Sequence, residues 1–353
     1  MKEIYKTILD LVDESNSQND AKRTKNDRVL ICDGTNTFIR CWSSIPTMND
    51  DGDHVAGITC VLKSIGFAIK QTKPTRVIVV FDGKGGSAGR RKIFSGYKAK
   101  RSANKLRVNR QYKDMLNDED ERESMKRQYV WLADTMDALP VTTMIYDGVE
   151  ADDVMAYIAT HLVKEDEQAV IMSTDKDFLQ LVNEHVIVWS PTKKKIYNVD
   201  TVFEEYGIQS KNILTYRVLD GDNSDEIPGI KGCGIKTILK RFPEFSGDES
   251  LSVNDLFKLS EEKQPDKKSK KIKLYDDILK AKDQILMNEQ LMQLSDPMLS
   301  GTIKMDVLSK YDEPLKPLNK LDFLKVSLKY KVADGYGDIQ NWLNLTFSTL
   351  ITP

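Results

Sequence analysis

The sequence predicts an α/β protein built on a central, mostly parallel twisted sheet flanked by helices. Three observations carry that reading. Residues 29–32 and, after Arg76 in the predicted strand 76–81, residues 77–81 are short runs that are apolar throughout, as strands buried on both faces are. A helix-period stretch separates them, with Ile58, Val61, Leu62, Ile65 and Ile69 on one side of 57–70. Acids stand where the strand runs stop, and an open parallel sheet gathers its functional loops at that edge.

Residues 29–32 end in Asp33-Gly34-Thr35-Asn36, and 76–81 end in Asp82-Gly83. A right-handed crossover makes the two strands neighbours or near neighbours, so both acids reach the same rim. The loop from Gly83 to Gly89 reads as a hinge, because no G-K-[ST] closes it into a phosphate-binding P-loop. An amphipathic helix is predicted over 119–139 on Met125, Tyr129, Leu132, Met136 and Leu139, and a strand over 141–146. Glu150, Asp152 and Asp153 follow at the start of a predicted helix over 154–165. A buried strand over 169–173 leads to Asp175 and Asp177. Residues 178–182 start a short helix, 186–189 and 195–197 read as a hairpin, and a helical stretch over 210–219 leads to Asp222 and Asp225.

Next comes Gly229-x-x-Gly232-x-Gly234, running into a predicted helix over 235–242. Alone, this spacing suits a nucleotide loop or a plain helix connection. With Ile-Pro before it and Lys231 and Lys236 beside it, it fits a helix–hairpin–helix that grips duplex backbone without reading sequence. Residues 246–273 read as a polar loop with six lysines near its end, either solvated or a second DNA contact. A helix is predicted over 275–294. The tail contains a strand-like stretch at 323–330 and shows no chemistry.

Of the 353 residues, 40% are apolar, enough for a sizeable core in one or two domains. The formal charge of −2 names no partner, but its distribution does. Residues 84–113 hold eleven Lys and Arg and no acid, interleaved with Ile93, Phe94 and Tyr97. That pattern suits contact with nucleic acid better than a solvated face. The cysteines, Cys32, Cys41, Cys60 and Cys233, form no CxxC and read as reduced thiols. His54, His161 and His185 are too scattered for a His-based metal site. No apolar run is long enough to span a bilayer and no secretory signal is present. Residues 1–27 place Ile4, Ile8, Leu11 and Val12 at helical spacing before a polar lead-in, as a helix packed on its own domain or as a docking element.

Nine acids therefore converge by topology: Asp33, Asp82, Glu150, Asp152, Asp153, Asp175, Asp177, Asp222 and Asp225. Crowded carboxylates repel, and only protons or cations relieve that. Oxygen-only ligands point to magnesium or manganese.

On these motifs the sequence resembles the flap endonuclease and 5′-nuclease superfamily, which includes phage 5′→3′ exonucleases, phage-type ribonuclease H and the 5′-nuclease domain of bacterial DNA polymerase I. The resemblance covers roughly residues 28–242 in family order, from DGTN at Asp33 to GDNSDEIPGIKGCGIKT from Gly221. It implies two Mg2+ or Mn2+ ions. Asp33, Asp82, Glu150 and Asp152 would hold the first, with Asp153 in or just behind its ligand set. Asp175, Asp177 and Asp222 would hold the second, with Asp225 close by. It implies that Lys98 and Arg101 reach the scissile phosphate, that Tyr97 stacks on an unpaired base, and that Arg90 and Arg91 join the nucleic-acid contact. Gly229, Lys231, Gly232, Gly234 and Lys236 would hold duplex DNA and a potassium ion.

The implied organisation is an N-terminal extension over 1–27 and a nuclease core over 28–204 with a basic arch at 84–128. A helix–three-turn–helix subdomain over 205–300 and a C-terminal segment over 301–353 complete it. The implied substrates are branched or 5′-ended duplex DNA and RNA–DNA hybrid, for a monomeric cytoplasmic enzyme of a bacterium or phage-infected cell, with a replication protein as a further partner. Two rivals share part of this pattern. A PIN-like nuclease acting on RNA would have the acids without the glycine hairpin and basic insert, and a non-catalytic binder of branched DNA would have lost ligands.

Overall fold

The computed structural model describes residues 27–100, 115–265 and 272–351. The expectations for 1–26, for Arg101 and for the lysines at 267–271 fall outside them.

The chain opens with β1 (Arg28–Asp33), whose side chains are buried on both faces from Val29 onward. Helix α1 (Gly34–Ser44) follows without a loop, because Asp33 caps it by accepting the Asn36 N–H at 2.9 Å. Helix α2 (Ala56–Thr72) covers one face of the sheet and ends at Lys73 in the left-handed conformation. Strand β2 (Arg76–Asp82) is buried up to its last residue. A short α3 (Ala88–Ile93) and the long α4 (Asp118–Asp137) precede β3 (Thr142–Tyr146). Four acids crowd the first turn of α4, where the helix dipole favours them.

Helix α5 (Ala151–Tyr157) widens into one π-helical turn over Ile158–Leu162 before β4 (Gln168–Met172). A 3₁₀ turn over Lys176–Leu181 leads to β5 (Val186–Ser190) and β6 (Lys195–Tyr197). The rest is helical: α6 (Val199–Tyr206), α7 (Ile213–Asp220), α8 (Ile235–Arg241), α9 (Val253–Glu262), α10 (Lys273–Lys280), α11 (Lys282–Met292), α12 (Gly301–Asp312), α13 (Lys320–Lys329) and α14 (Ile339–Ile351).

The strands form one sheet in the order β3-β2-β1-β4-β5-β6, parallel except for the antiparallel β5–β6 hairpin. The sheet divides the interior. One apolar cluster joins Val29, Ile31 and Ile171 to α5 and α7. The other joins Leu30, Cys32 and Val79 to α1, α2, Phe323 and Phe347.

Three expectations about secondary structure need correction. Residues 323–330 are helical, because Phe323 and Ser327, one helical turn apart, are the buried pair. The polar stretch 246–273 contains α9, set by a reciprocal capping box between Ser252 and Asp255. The single helix over 275–294 is two, broken at Ala281. The tail also has a structural task. The buried Arg76 at the start of β2 donates to the Lys310 and Glu313 carbonyls, which ties the end of α12 to the sheet.

Candidate active site

The sheet order places β2, β1 and β4 side by side, so Asp82, Asp33 and Asp175 leave one rim together. Asp82 is paired across the ladder with Tyr146 at the end of β3, and the loop beyond Tyr146 delivers Glu150 and Asp152 to the same place. Gly83 permits this approach, since a Cβ there would lie 2.0 Å from the Tyr146 carbonyl oxygen.

Short polar residues lock the motifs to one another. The Ser173 hydroxyl donates to Asp33 at 3.1 Å, and the Asp82 N–H donates to the Thr35 hydroxyl at 2.8 Å. The Thr174 hydroxyl donates to Asn36 Oδ1 at 2.9 Å. Asp82 accepts the Ala151 N–H at the start of α5, also at 2.8 Å. Asp175 caps the following 3₁₀ turn through the Asp177 N–H.

The electrostatics divide the acids into two kinds. Burial, then the charges of Asp82 and Asp175, push Asp33 up to about 7 against its two hydrogen-bond donors. Burial together with Asp33, Asp175 and Asp82 drives Asp152 well above the usual carboxylate range. Burial and the nearby Asp225 and Asp222 raise Asp175. Burial and Asp175 push Asp177 up to about 7. These groups carry repulsion that the protein relieves only in part, Asp152 through Lys98 and Asp177 through Arg217.

Others are neutralised from within. Burial works against the Glu150 carboxylate, but Lys98 at 2.5 Å, Arg90 at 2.9 Å and the Tyr97 hydroxyl at 2.9 Å outweigh it and hold its pKa low. Burial also works against Asp222, which the Ser224 hydroxyl and Arg217 hold low.

Several assignments change on this geometry. Arg90 is buried, donating through Nη1 and Nη2 to Asp153 at 2.5 and 3.1 Å and through Nε to the Leu291 carbonyl. It faces carboxylates, not a phosphate backbone. Asp153 has both oxygens engaged, by Arg90 and by the Met298 N–H, an ion pair that suits the place just behind the expected ligand set. Tyr97 is buried beside Ile227, Leu291 and Met292, and its hydroxyl spans Glu150 and Asp225, so its ring is not free to stack on a base. Arg91 is exposed and braces the Tyr97 and Lys98 carbonyls.

Lys98 lies in the crevice between Glu150 and Asp225. Arg217 on α7 was not foreseen. It bridges Asp177 at 2.8 Å and Asp222 at 2.7 Å. The signal was present as a single cation in an otherwise apolar helix turn, five residues before Asp222.

On the far side of Asp222, Gly229 packs so close to α7 that a Cβ would lie 2.0 Å from the Asp220 carbonyl oxygen. Gly232 has φ +88° and Gly234 caps α8. Lys231, Gly232, Gly234 and Lys236 are exposed around that helix start.

Among the described residues no three His, Cys or acidic side chains close into a finished ligand cage. Glu150, Asp152, Asp175, Asp177 and Asp225 instead line a crevice, walled by Phe178 and Leu294 among others. The donor set fits a hard divalent cation: oxygen only, with more negative charge than Arg90, Lys98 and Arg217 neutralise. This has a measurable consequence. For Asp33 and Asp177, folded values near 7 lie above the ordinary Asp value of 3.8. Their contribution to stability is full below that ordinary value and is lost as pH rises through about 7. Chelated protein therefore loses stability over this window. Mg2+ should raise the urea midpoint more at about pH 8 than at about pH 5. Equal effects at both would contradict the assignment.

A mostly parallel sheet with acids gathered at its carboxyl rim, a basic segment after β2 and a glycine-rich helix start after α7 is the pattern of the 5′-nuclease class. Residues 28–207, half of the chain, match the family model described as 5′-3′ exonuclease, N-terminal resolvase-like domain. The chain belongs to that family.

The 5′-3′ exonuclease of Buchnera aphidicola subsp. Schizaphis graminum is 30% identical over 235 residues, covering 65% of this chain and 75% of that protein. The thermostable DNA polymerase I of Thermus thermophilus is 31% identical over 228 residues, covering 64% of this chain but only 25% of the polymerase. In fold, the chain is similar to the bacteriophage T5 flap endonuclease crystallised with DNA and metal ions, with a TM-score of 0.57 and 22% identity, over 85% of this chain and 99% of that one. Among the described residues no helix is long and apolar enough to cross a membrane.

Proposed function

We propose that this chain is a structure-specific 5′-nuclease that hydrolyses phosphodiesters near 5′ ends of DNA, as a 5′→3′ exonuclease and a 5′-flap endonuclease, with RNA–DNA hybrid also a substrate. The observation that carries this is the gathering of Asp33, Asp82, Asp152 and Asp175, from four separate segments, at one rim of the sheet, close enough that Asp82 and Asp175 act on both Asp33 and Asp152, with Lys98 acting on Asp152.

Asp33, Asp82, Glu150 and Asp152 would hold one Mg2+ or Mn2+ ion; Asp175, Asp177 and Asp222, with Asp225 nearby, would hold a second. When bound, such ions activate water near neutral pH and stabilise charge on a phosphoryl group. The chain's own residues do the rest. Lys98 brings an ammonium to the crevice at the side of Glu150, where it would stabilise charge on the phosphate. Arg217 holds Asp177 and Asp222 in one orientation. The helix start at Gly234, with Lys231 and Lys236, offers N–H groups and cations to a duplex backbone and suits a potassium ion at its loop. Bacterial and phage relatives of this kind suit a cytoplasmic role in replication or repair.

The test is a duplex with a 5′ flap, labelled at each end, in magnesium and then with EDTA. Release of 5′ fragments only with the metal supports the reading. Binding without cleavage in Mg2+ and in Mn2+ would favour a non-catalytic protein.

A further inference from the structure

We propose that Glu226 is a positioning residue that holds Lys98 over the crevice and so couples the base of the basic segment to the loop that carries Asp222 and Asp225; the inference rests on the nuclease reading above. The segment 97–100 leaves the crevice through a backbone that side-chain-bearing residues rarely adopt, with Lys98 at φ 52°. Glu226, on the facing loop, has φ 57°. Two such residues opposite one another persist only where their surroundings hold them.

The surroundings are specific. The Lys98 N–H donates to the Asp225 carbonyl at 3.0 Å, and the Lys100 N–H donates to Glu226 Oε1 at 3.1 Å. The adjacent residues of one loop thus receive alternate N–H groups of the other, as a short rung. From the opposite side, Arg91 donates to the Tyr97 and Lys98 carbonyls at 3.2 and 3.3 Å. The facing loop is itself closed by a pair of hydrogen bonds between Asp222 and Ile227, at 2.9 and 2.8 Å, so it is a firm support. The left-handed turn at Lys98 accompanies a side chain folded back over the Tyr97 ring, with Nζ 4.8 Å from its centroid, toward Glu150. Without it the ammonium would follow the chain away from the acids.

Glu226 makes this contact through Oε1; its other carboxylate oxygen, Oε2, is buried and has no hydrogen-bond partner among the described residues. Its carboxylate is therefore assigned to the backbone of its neighbour, not to a cation. This pinning makes Lys98 part of the site before DNA arrives.

The experiment compares wild type, Glu226→Ala, Glu226→Gln, Lys98→Ala and the double variant in cleavage of a 5′-flap duplex. Glu226→Ala should lower kcat about tenfold with KM unchanged, the scale of one misplaced contact. Glu226→Gln keeps an acceptor oxygen and should restore most of it. In the Lys98→Ala background, Glu226→Ala should cost nothing further, because it acts through Lys98. Multiplicative losses, or a Glu226→Ala rate equal to wild type, would overturn the proposal.

A second arm needs neither metal nor substrate. In EDTA, amide exchange at Lys98 and Lys100 should quicken in Glu226→Ala, and unchanged exchange would overturn it equally. If wild type fails to cleave, the nuclease reading falls, while the exchange arm still decides on Glu226. Should Glu226→Ala fail to fold, Glu226→Gly, which suits the positive φ, takes its place in both arms.

Discussion

Asp175→Asn should bind a 5′-flap duplex with near wild-type affinity and cleave it at least ~10²-fold more slowly in magnesium, the scale for losing one stabiliser of the transition state. The side chains differ by one atom, and the amide still has an oxygen to accept the Asp177 N–H that Asp175 now caps. What is lost is one negative charge at the centre of the coupled set, where Asp175 acts on Asp33, Asp152 and Asp177 alike. Removing it relieves repulsion, so the folded protein should be no less stable, and the urea midpoint of chelated protein should hold or rise. On the proposed reading duplex grip would come from the helix start at Gly234, which the change does not touch. Single-turnover rates and binding isotherms separate the two effects. Near-normal cleavage would remove Asp175 from the site, and weakened binding would mean it positions the substrate.

Arg90→Ala should destabilise the chelated protein by ~3–5 kcal/mol, the usual result of breaking a buried ion pair from one side. The guanidinium is 4% exposed, and its partners Glu150 and Asp153 are 5% and 1% exposed. Truncation leaves Asp153 desolvated without a counter-charge, leaves Glu150 with Lys98 alone, and leaves the Leu291 carbonyl without its donor. Urea unfolding with EDTA present measures the loss. The opposite outcome is equally concrete. If Arg90 lay on the nucleic-acid face, its loss would leave stability within ~0.5 kcal/mol and lower the salt dependence of DNA binding by about one phosphate contact. A small stability change with a changed salt slope would overturn the buried assignment.

Arg90 also shows where reading residues in order stops being informative. In sequence it is one of eleven cations in an acid-free run, and a run of one sign reads as a surface. Its partners lie 60 to 201 positions away, in α5 and at the end of α11. Tyr97 is the same case, an aromatic beside lysines whose hydroxyl partners come from Glu150 and Asp225. Arg217 is the converse. It looked like an ordinary residue of a helix, and only the packing of α7 against the 3₁₀ turn after β4 sets it between Asp177 and Asp222. The tail misled for a further reason. The apolar residues over 323–330 fit either period until α4 and α14 choose the helical face.

What the amino-acid order determined by itself was local: apolar runs that must be strands, acids placed where those runs stop, and glycines where backbone must approach backbone. Those features depend on residues a few positions apart, and the parallel topology then carries Asp33, Asp82 and Asp175 to a common rim. Only the tertiary structure decided which charges stay unrelieved and which are neutralised. That depends on distance and desolvation between segments far apart in the chain. Asp33 and Asp152 keep most of their mutual repulsion, while Asp153 is spent on Arg90.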